Sequence, residues 1–414
     1  MKLEGTATSP LLRRLNARLV LEALRGAGAM TVTDMVAATQ LSRPTVHAVV
    51  DALARIGQVR EVPDDETAGP RRGRPARRYE FRADASYVLG LDVGAGTMVV
   101  VVADLRGELV AQTRRHFPDL HMEADERIAF IRRTMVAALA EAGVDPADVM
   151  AVCVGAAGVV DPRDGAIRFS SGIHGFLEVN LREALERGFG WPVIVENDAN
   201  LAAVGEQRRG VAAGADNFVV LLAGERLGSG IVLGGQLVRG HGGGAGEMGF
   251  LSLDGSGDNA WGIAYLARRL GAEAVARMSD PDAGNPPRPG SLYERVGGDP
   301  GGVDATAVFA AAQAGDEVAV GVLERVVDRV AKSVGTIALL LDPELVVIGG
   351  GVAAAGDVLL VPLRRRLVGV VPERLRIEAS TLGDRGVVTG AVCRAVDEAW
   401  ARLLDAWPSD DIAG

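Results

Sequence analysis

Two stretches of this 414-residue chain run through the same order of elements, and that repetition constrains the fold more than any other feature. In the first, Tyr87–Val93 is a continuous apolar strand ending in Asp92-Val93-Gly94-Ala95-Gly96-Thr97. Val99–Ala103 and Leu109–Gln112 follow as strands of a meander, turned at Arg106-Gly107. An amphipathic helix over Ile128–Ala142 leads to a second buried strand, Met150–Ala156, and the run Gly155-Ala156-Ala157-Gly158. In the second stretch, Phe218–Leu222 precedes a glycine-bearing turn, Gly224–Gly230, and Ile231–Leu233 with Gln236–Val238 forms a meander pair. A long helix over Glu317–Leu341 leads to strand Leu345–Ile348 and the run Gly349-Gly350-Gly351. Strand, glycine turn, meander, helix, strand and glycine, twice over, predict a duplicated α/β body with a cleft between two lobes. By this pattern the lobes cover about 83–215 and 216–414. The glycine turns face the cleft, where bare backbone can approach a ligand closely and present amide N–H groups to phosphate. Residues 279–303 are rich in Pro and Gly and read as an exposed loop.

Residues 1–82 follow a different pattern. Leu11, Leu12, Leu15, Leu19 and Leu24 recur at helical spacing, so Pro10 to about Arg25 reads as a first helix. Thr33 is a suitable cap for a short helix over Asp34–Thr39, Gln40-Leu41 is a tight turn, and Ser42 caps a third helix with Pro44 in its first turn. Val46, Val49, Val50 and Leu53 form the buried stripe of that third helix. Val59–Val62 and Arg78–Phe81 alternate like two strands, with a charged tract between them as a wing. The pattern predicts a winged helix-turn-helix whose third helix enters the major groove of double-stranded DNA by its N-terminal end. Ser42, Arg43, Thr45 and His47 lie at that end, Ser42 being a cap first and a phosphate donor second, and His47 reading equally as a solvated helix residue. The wing holds Arg71, Arg72, Arg74, Arg77 and Arg78, and from it Arg72 and Arg74 are candidate phosphate or minor-groove contacts.

Charge divides the chain the same way. The whole carries −10, of which residues 1–82 contribute +5 and the remainder −15, so only the head suits a polyanion. The two cysteines, Cys153 and Cys393, sit in apolar segments, and a disulfide framework is excluded. There is no signal peptide pattern and no apolar run long enough to span a membrane. The expected location is the cytoplasm, with no membrane partner.

In its motifs the chain resembles the ROK family (repressor, open reading frame, kinase), in the branch of transcription regulators. The matching segments are Leu41-Ser42-Arg43-Pro44-Thr45-Val46, Gly73-Arg74-Pro75, Leu91–Thr97, Val195-Glu196-Asn197-Asp198-Ala199-Asn200, Gly246-Glu247-Met248-Gly249 and Ile348–Gly351. The resemblance implies an N-terminal winged helix-turn-helix followed by a two-lobed, actin-like, sugar kinase-like body that binds an effector and dimerises. It implies that Asp198 matches the base that takes the sugar hydroxyl proton in family kinases, and that Asn197 and Glu247 match contacts to sugar hydroxyls. From the residues alone, Asn197-Asp198 also reads as a helix cap.

The chain departs from the family in the pocket itself. Phe250 stands where a zinc-binding His is usual, Asp254–Trp261 has no cysteine, and phenylalanine cannot ligate a metal, so no zinc site is expected. The run Trp261-Gly262-Ile263-Ala264 replaces a stretch with a sugar-binding glutamate. Gly224-Glu225-Arg226 replaces a Gly-Thr-Gly phosphate turn, putting a carboxylate where phosphate would sit, with Arg226 available to offset it. Gly172 and Phe176 stand where Asn and Trp are common, and His174 offers a replacement hydrogen bond. Asp92, Gly94, Gly96, Thr97, Gly349 and Gly350 are then vestiges of phosphate loops. The expected protein is a DNA-binding repressor, a homodimer or tetramer, controlled by a sugar or sugar-phosphate effector. No catalysis, zinc, ATP or Mg is expected. The alternatives are an active sugar kinase with a DNA-binding head, in which Asp198 is catalytic, and a ligand-independent regulator whose body is a dimerisation scaffold.

Overall fold

The computed structural model describes residues 10–63, 77–169, 172–177, 179–250, 261–278 and 289–405. The head comprises α1 (Pro10–Ala27), β1 (Met30–Thr31), α2 (Val32–Thr39), α3 (Arg43–Arg55), β2 (Val59–Val62) and β3 (Arg78–Phe81). Its three-stranded sheet has the order β1-β3-β2, with β1 a strand that the sequence pattern did not disclose.

Two local expectations are corrected. Thr31, not Thr33, caps α2: its hydroxyl accepts from the Asp34 amide while the Asp34 carboxylate accepts from the Thr31 amide, a reciprocal capping box. On α1 the buried positions are Ala17, Val20, Leu21 and Leu24, whereas Leu12, Leu15 and Leu19 are exposed. Spacing fixes a helical period but not which side of it faces the core. The buried stripe of α3 is as read, and Ser42 caps that helix by accepting from the Thr45 amide.

The first half of the body runs β4 (Tyr87–Val93), β5 (Thr97–Asp104), β6 (Leu109–His116), α4 (Ala124–Ala142), β7 (Val149–Ala156), β8 (Val159–Val160), β9 (Ile167–Phe169), α5 (Leu181–Phe189), β10 (Val193–Asn197) and α6 (Asp198–Arg209). The second runs β11 (Phe218–Leu222), β12 (Gly228–Leu233), β13 (Gln236–Leu237), α7 (Ile263–Met278), α8 (Leu292–Arg295), α9 (Ala305–Gln313), α10 (Glu317–Leu341), β14 (Leu345–Gly349), α11 (Asp357–Leu367), β15 (Arg376–Ala379) and α12 (Gly386–Asp405). The sheets are β10-β7-β4-β5-β6 and β13-β12-β11-β14-β15, each an antiparallel meander joined to parallel strands. The duplication read from the sequence is thus a duplication of topology. Within the stretch read as a loop, α8 and a short turn at Pro300–Gly302 form, while residues 279–288 lie outside the described residues.

The halves exchange their last helices. The second half's α12 returns to cover β4 and β7 of the first sheet, and the first half's α6 covers β11 and β12 of the second. The lobe limit drawn at 216–414 therefore fails for α12, because periodicity does not tell which sheet a helix covers. The two helices cross back to back between the sheets. A Cβ on Gly390 would overlap the Leu201 carbonyl, so only glycine admits this approach. One core runs from the head through the inner face of the first sheet, α12 and α6 to the inner face of the second.

Candidate functional site: the cleft and the DNA-facing helix

A cavity of about 430 Å³ opens between the lobes. Its lining includes Asp92 and the Gly94–Thr97 turn at the end of β4, and Asn197 and Asp198 at the end of β10 and the start of α6. It also takes in the Gly224–Gly228 turn after β11, together with Glu247, Gly350 and Arg226. Of the expected residues, Asp92, Gly94, Gly96, Thr97, Asn197, Asp198, Glu247 and Gly350 are brought together. Gly349 and His174 are not among the lining residues. Gly349 is buried at the end of β14, and Gly350 and Gly351 reach the cavity in its place. His174 is exposed and packs edge-on against His121, 6.3 Å between ring centroids.

Asn197 is the N-cap of α6. Its side-chain oxygen accepts from the Asn200 amide at 3.0 Å and its Nδ2 donates to the Gly158 carbonyl at 3.0 Å, so both ends of the amide hold the fold. The neighbouring Glu196 is buried, accepts from Asn200 and receives Arg239 Nε at 2.7 Å, tying the end of β10 to the segment after β13.

Asp198 is the chemically distinctive residue. Burial, then the nearby Asp92, push its carboxyl up to about 7, against hydrogen bonds from backbone amides, that of Ala199 at 2.8 Å. Burial likewise pushes Asp92 up to about 6, the effect of Asp384 being outweighed by that of Arg114. Glu247 is raised by burial and partly restored by Arg226. Asp92 and Asp198 therefore exchange protons near neutral pH, so each can accept a hydrogen bond from a ligand hydroxyl or donate one to it.

The turn after β11 separates its two charges. Glu225 forms a two-pronged ion pair with Arg268 of α7, one contact at 2.7 Å. The expectation that Arg226 offsets Glu225 is corrected: Arg268 does so, and Arg226 turns into the cleft. Glu225 also borders a second cavity, of about 520 Å³, beside α9. Sequence reasoning missed the Arg114–Asp384 ion pair, 2.8 Å, which joins β6 to the start of α12 at the cavity wall. Partners 270 positions apart leave no local signal.

On the head, Arg43 and His47 are exposed at the start of α3. Arg43 Nη2 donates to Thr33 Oγ1 at 2.6 Å, and the Ser42 and Thr45 hydroxyls share a hydrogen bond at 2.7 Å. Arg71, Arg72 and Arg74 lie outside the described residues. Arg77 pairs with Glu61 at 3.5 Å, and Arg78 donates to the Ala29 carbonyl at 2.9 Å.

A helix-turn-helix head on a two-lobed, actin-like α/β body with a ligand-sized cleft defines a DNA-binding regulator built on a kinase scaffold. The chain belongs to the ROK family, whose model matches residues 88–269 and 289–398; an IclR helix-turn-helix domain matches residues 16–63. A glucokinase of Streptomyces coelicolor is 30% identical over 315 residues, 73% of this chain and 95% of its own length. A xylose repressor of Caldicellulosiruptor bescii is 23% identical over 400 residues, 94% of this chain and 97% of its own. Among solved structures, a ROK family glucokinase from Streptomyces griseus in complex with glucose and AMPPNP aligns over 75% of this chain and all of its own, with TM-score 0.64 and 27% identity. A ROK family transcriptional regulator, a homologue of the E. coli MLC protein, covers 95% of this chain and 98% of its own, with TM-score 0.73 and 21% identity, and shares the fold.

Proposed function

We propose that the protein is a transcriptional repressor, residues 1–82 being its DNA-binding head and 83–414 its sensing body, and that a sugar-derived effector in the cleft sets its affinity for a double-stranded operator. The observation that carries this reading is the continuous core joining the head to α12, the helix whose start borders the cleft. Full-length similarity to proteins named as xylose repressors supports the same reading. Ser42, Arg43, Thr45 and His47, with Arg72 and Arg74 of the wing, contact the operator. Asp198 and Glu247 hydrogen-bond the effector's hydroxyls, and Asn197 adds the one amide N–H its capping role leaves over. The protein works in the cytoplasm.

The body acts as a homodimer or tetramer. Leu339 and Leu340 at the end of α10 and Val368 and Val370 after α11 are exposed, at 69%, 75%, 80% and 52%, and both segments belong to the second half. Val370 packs near Gly335, one turn before Leu339, so these residues share one apolar face suited to a second copy.

The effector is sensed without being phosphorylated. ATP phosphates passing from the second cavity to the first would cross the Glu225 carboxylate, which Arg268 fixes in place. Zinc does not fit the donor set either: Phe250 offers no ligand atom, residues 250–261 hold no cysteine, and Cys153 is buried within β7.

Fluorescence anisotropy on the operator, with a panel of sugars and sugar phosphates, tests the reading; effector-dependent release of DNA is the expected result. A kinase reading draws on Asp198, whose carboxyl near 7 suits a general base. Sugar-dependent ATP turnover that disappears in Asp198→Asn would establish that reading instead. A ligand-free scaffold would show no thermal shift with any sugar, whereas an effector at about 100 times its dissociation constant stabilises by about 2.7 kcal/mol.

A further inference from the structure

The Arg226 side chain enters the cleft with no hydrogen bond or ion pair from its guanidinium to any described residue, although the residue is half-buried. Its setting is rigid. The guanidinium lies over the Trp261 ring, 5.2 Å from the centroid, and the two residues pair as a β-bridge. Below them, the start of α7 clamps the turn: the amides of Gly262, Ile263 and Ala264 donate to the carbonyls of Glu225, Ala223 and Gly224 at 3.0, 2.9 and 3.1 Å. A Cβ on Gly262 would collide with the Gly224 and Arg226 carbonyls, so the clamp depends on that glycine.

The space in front of Arg226 is also kept open. Gly172 faces it, and a Cβ there would sit 3.7 Å from Arg226 Cδ, so any longer side chain would intrude. Glu247 faces Arg226 from across the cavity but makes no ion pair with it within 4 Å. The adjoining Glu225 is drawn out to Arg268. A fixed, partly desolvated guanidinium with an open front is a fork for a carboxylate or a phosphate. The carboxyls lining the rest of the cavity are suited to hydroxyl groups.

We propose that the effector is a polyol bearing one anionic group, a carboxylate or a phosphate ester, with that group seated on Arg226 and its hydroxyls turned toward Asp198 and Glu247. The proposal rests on the reading of the cleft as an effector site and specifies the chemical class of its ligand. The raised carboxyls reduce the repulsion that an anion would otherwise meet there.

The test is calorimetric titration of the full chain with neutral hexoses and pentoses, hexuronates and aldonates, hexose 6-phosphates, inorganic phosphate and Mg-ATP. Each is run against wild type, Arg226→Gln and Arg226→Lys, whose folding is checked by thermal melting. Sugar acids or sugar phosphates are expected to bind, at least tenfold more weakly to Arg226→Gln, with partial retention in Arg226→Lys and weakening by salt. Which of the two binds identifies the source of the anion. A neutral sugar that binds wild type and Arg226→Gln equally overturns the proposal and leaves the effector site standing. Loss of Mg-ATP binding alone in Arg226→Gln would also overturn it, assigning Arg226 to a nucleotide. Absence of binding by every sugar and derivative overturns the effector reading itself.

Discussion

Trp400 of α12 donates its indole N–H to the carbonyl of Leu105 at 3.0 Å while its ring packs on Phe81, 5.0 Å between centroids, at the end of the head's last strand. Arg25 of α1 also lies over the indole, 5.1 Å from the ring centroid. One side chain therefore joins the first lobe, α12 and the head.

Trp400→Ala removes that joint. A buried Trp-to-Ala change costs about 3–5 kcal/mol, and here the loss falls on the contact between head and body. The expected result is a lower melting temperature and a head that binds operator without responding to effector. Trp400→Phe keeps the packing and loses one hydrogen bond, at about 1 kcal/mol. Calorimetry and operator titration with and without effector check both. Undiminished effector control in Trp400→Ala would show that the joint carries no signal.

The buried carboxyls make stability depend on pH. Asp92 and Asp198 titrate at about 6 and 7 in the folded chain, above the roughly 3.9 of an unfolded Asp. The folded state thus holds protons that the unfolded state releases. The contribution of these two groups is fully present below about 4 and is lost as pH rises through about 6 and 7, with a slope of up to about 1.4 kcal/mol per pH unit for each. Urea melts at pH 5, 6, 7 and 8 are expected to show this fall, and Asp92→Asn and Asp198→Asn to flatten it. An unchanged slope in both variants would contradict it.

For the head, Arg43→Ala and Arg74→Ala are expected to weaken operator binding. A lost phosphate contact lowers the slope of log affinity against log salt by about 1, whereas a lost base contact costs about 1–3 kcal/mol at one position of the site. Gel-shift titrations over a salt series separate the two. Unchanged affinity in both variants would remove these residues from the interface.

At the crossing of α6 and α12, Gly390→Ala places a methyl group against the Leu201 carbonyl. Alanine favours an isolated helix over glycine by about 1 kcal/mol, so the local effect and the packing effect have opposite signs. The packing effect is expected to prevail, with a clear drop in melting temperature. Gly321→Ala on α10, where a Cβ meets nothing within 4 Å, is the control and is expected to stabilise by about 0.5–1 kcal/mol.

Patterns confined to a short window were legible in the sequence: the Ser42 cap, the buried stripe of α3, and strands β4, β7, β11 and β14 with their glycine turns. Asp198 and Glu247 were legible as ligand contacts only through the family resemblance, and Asp92, read as part of a phosphate loop, lines the same cavity. Features decided by long-range packing were not legible. The side of α1 facing the core depends on its neighbours, which leave Leu15 exposed and bury Ala17. The orientation of Arg226 depends on Trp261 and on Arg268 removing Glu225, neither of which is adjacent to it. The exchange of α6 and α12 depends on which sheet each helix meets.

That exchange has a consequence for synthesis. A nascent chain generally folds its N-terminal domains first, but here the first sheet keeps its inner face uncovered until α12, the last described helix, has been made. The DNA-reading head emerges earliest, yet the tryptophan that docks it against the body arrives some 320 residues after Phe81. A chain cut short before Gly386 would carry the head and most of the cleft, but not the helix and the tryptophan that join them.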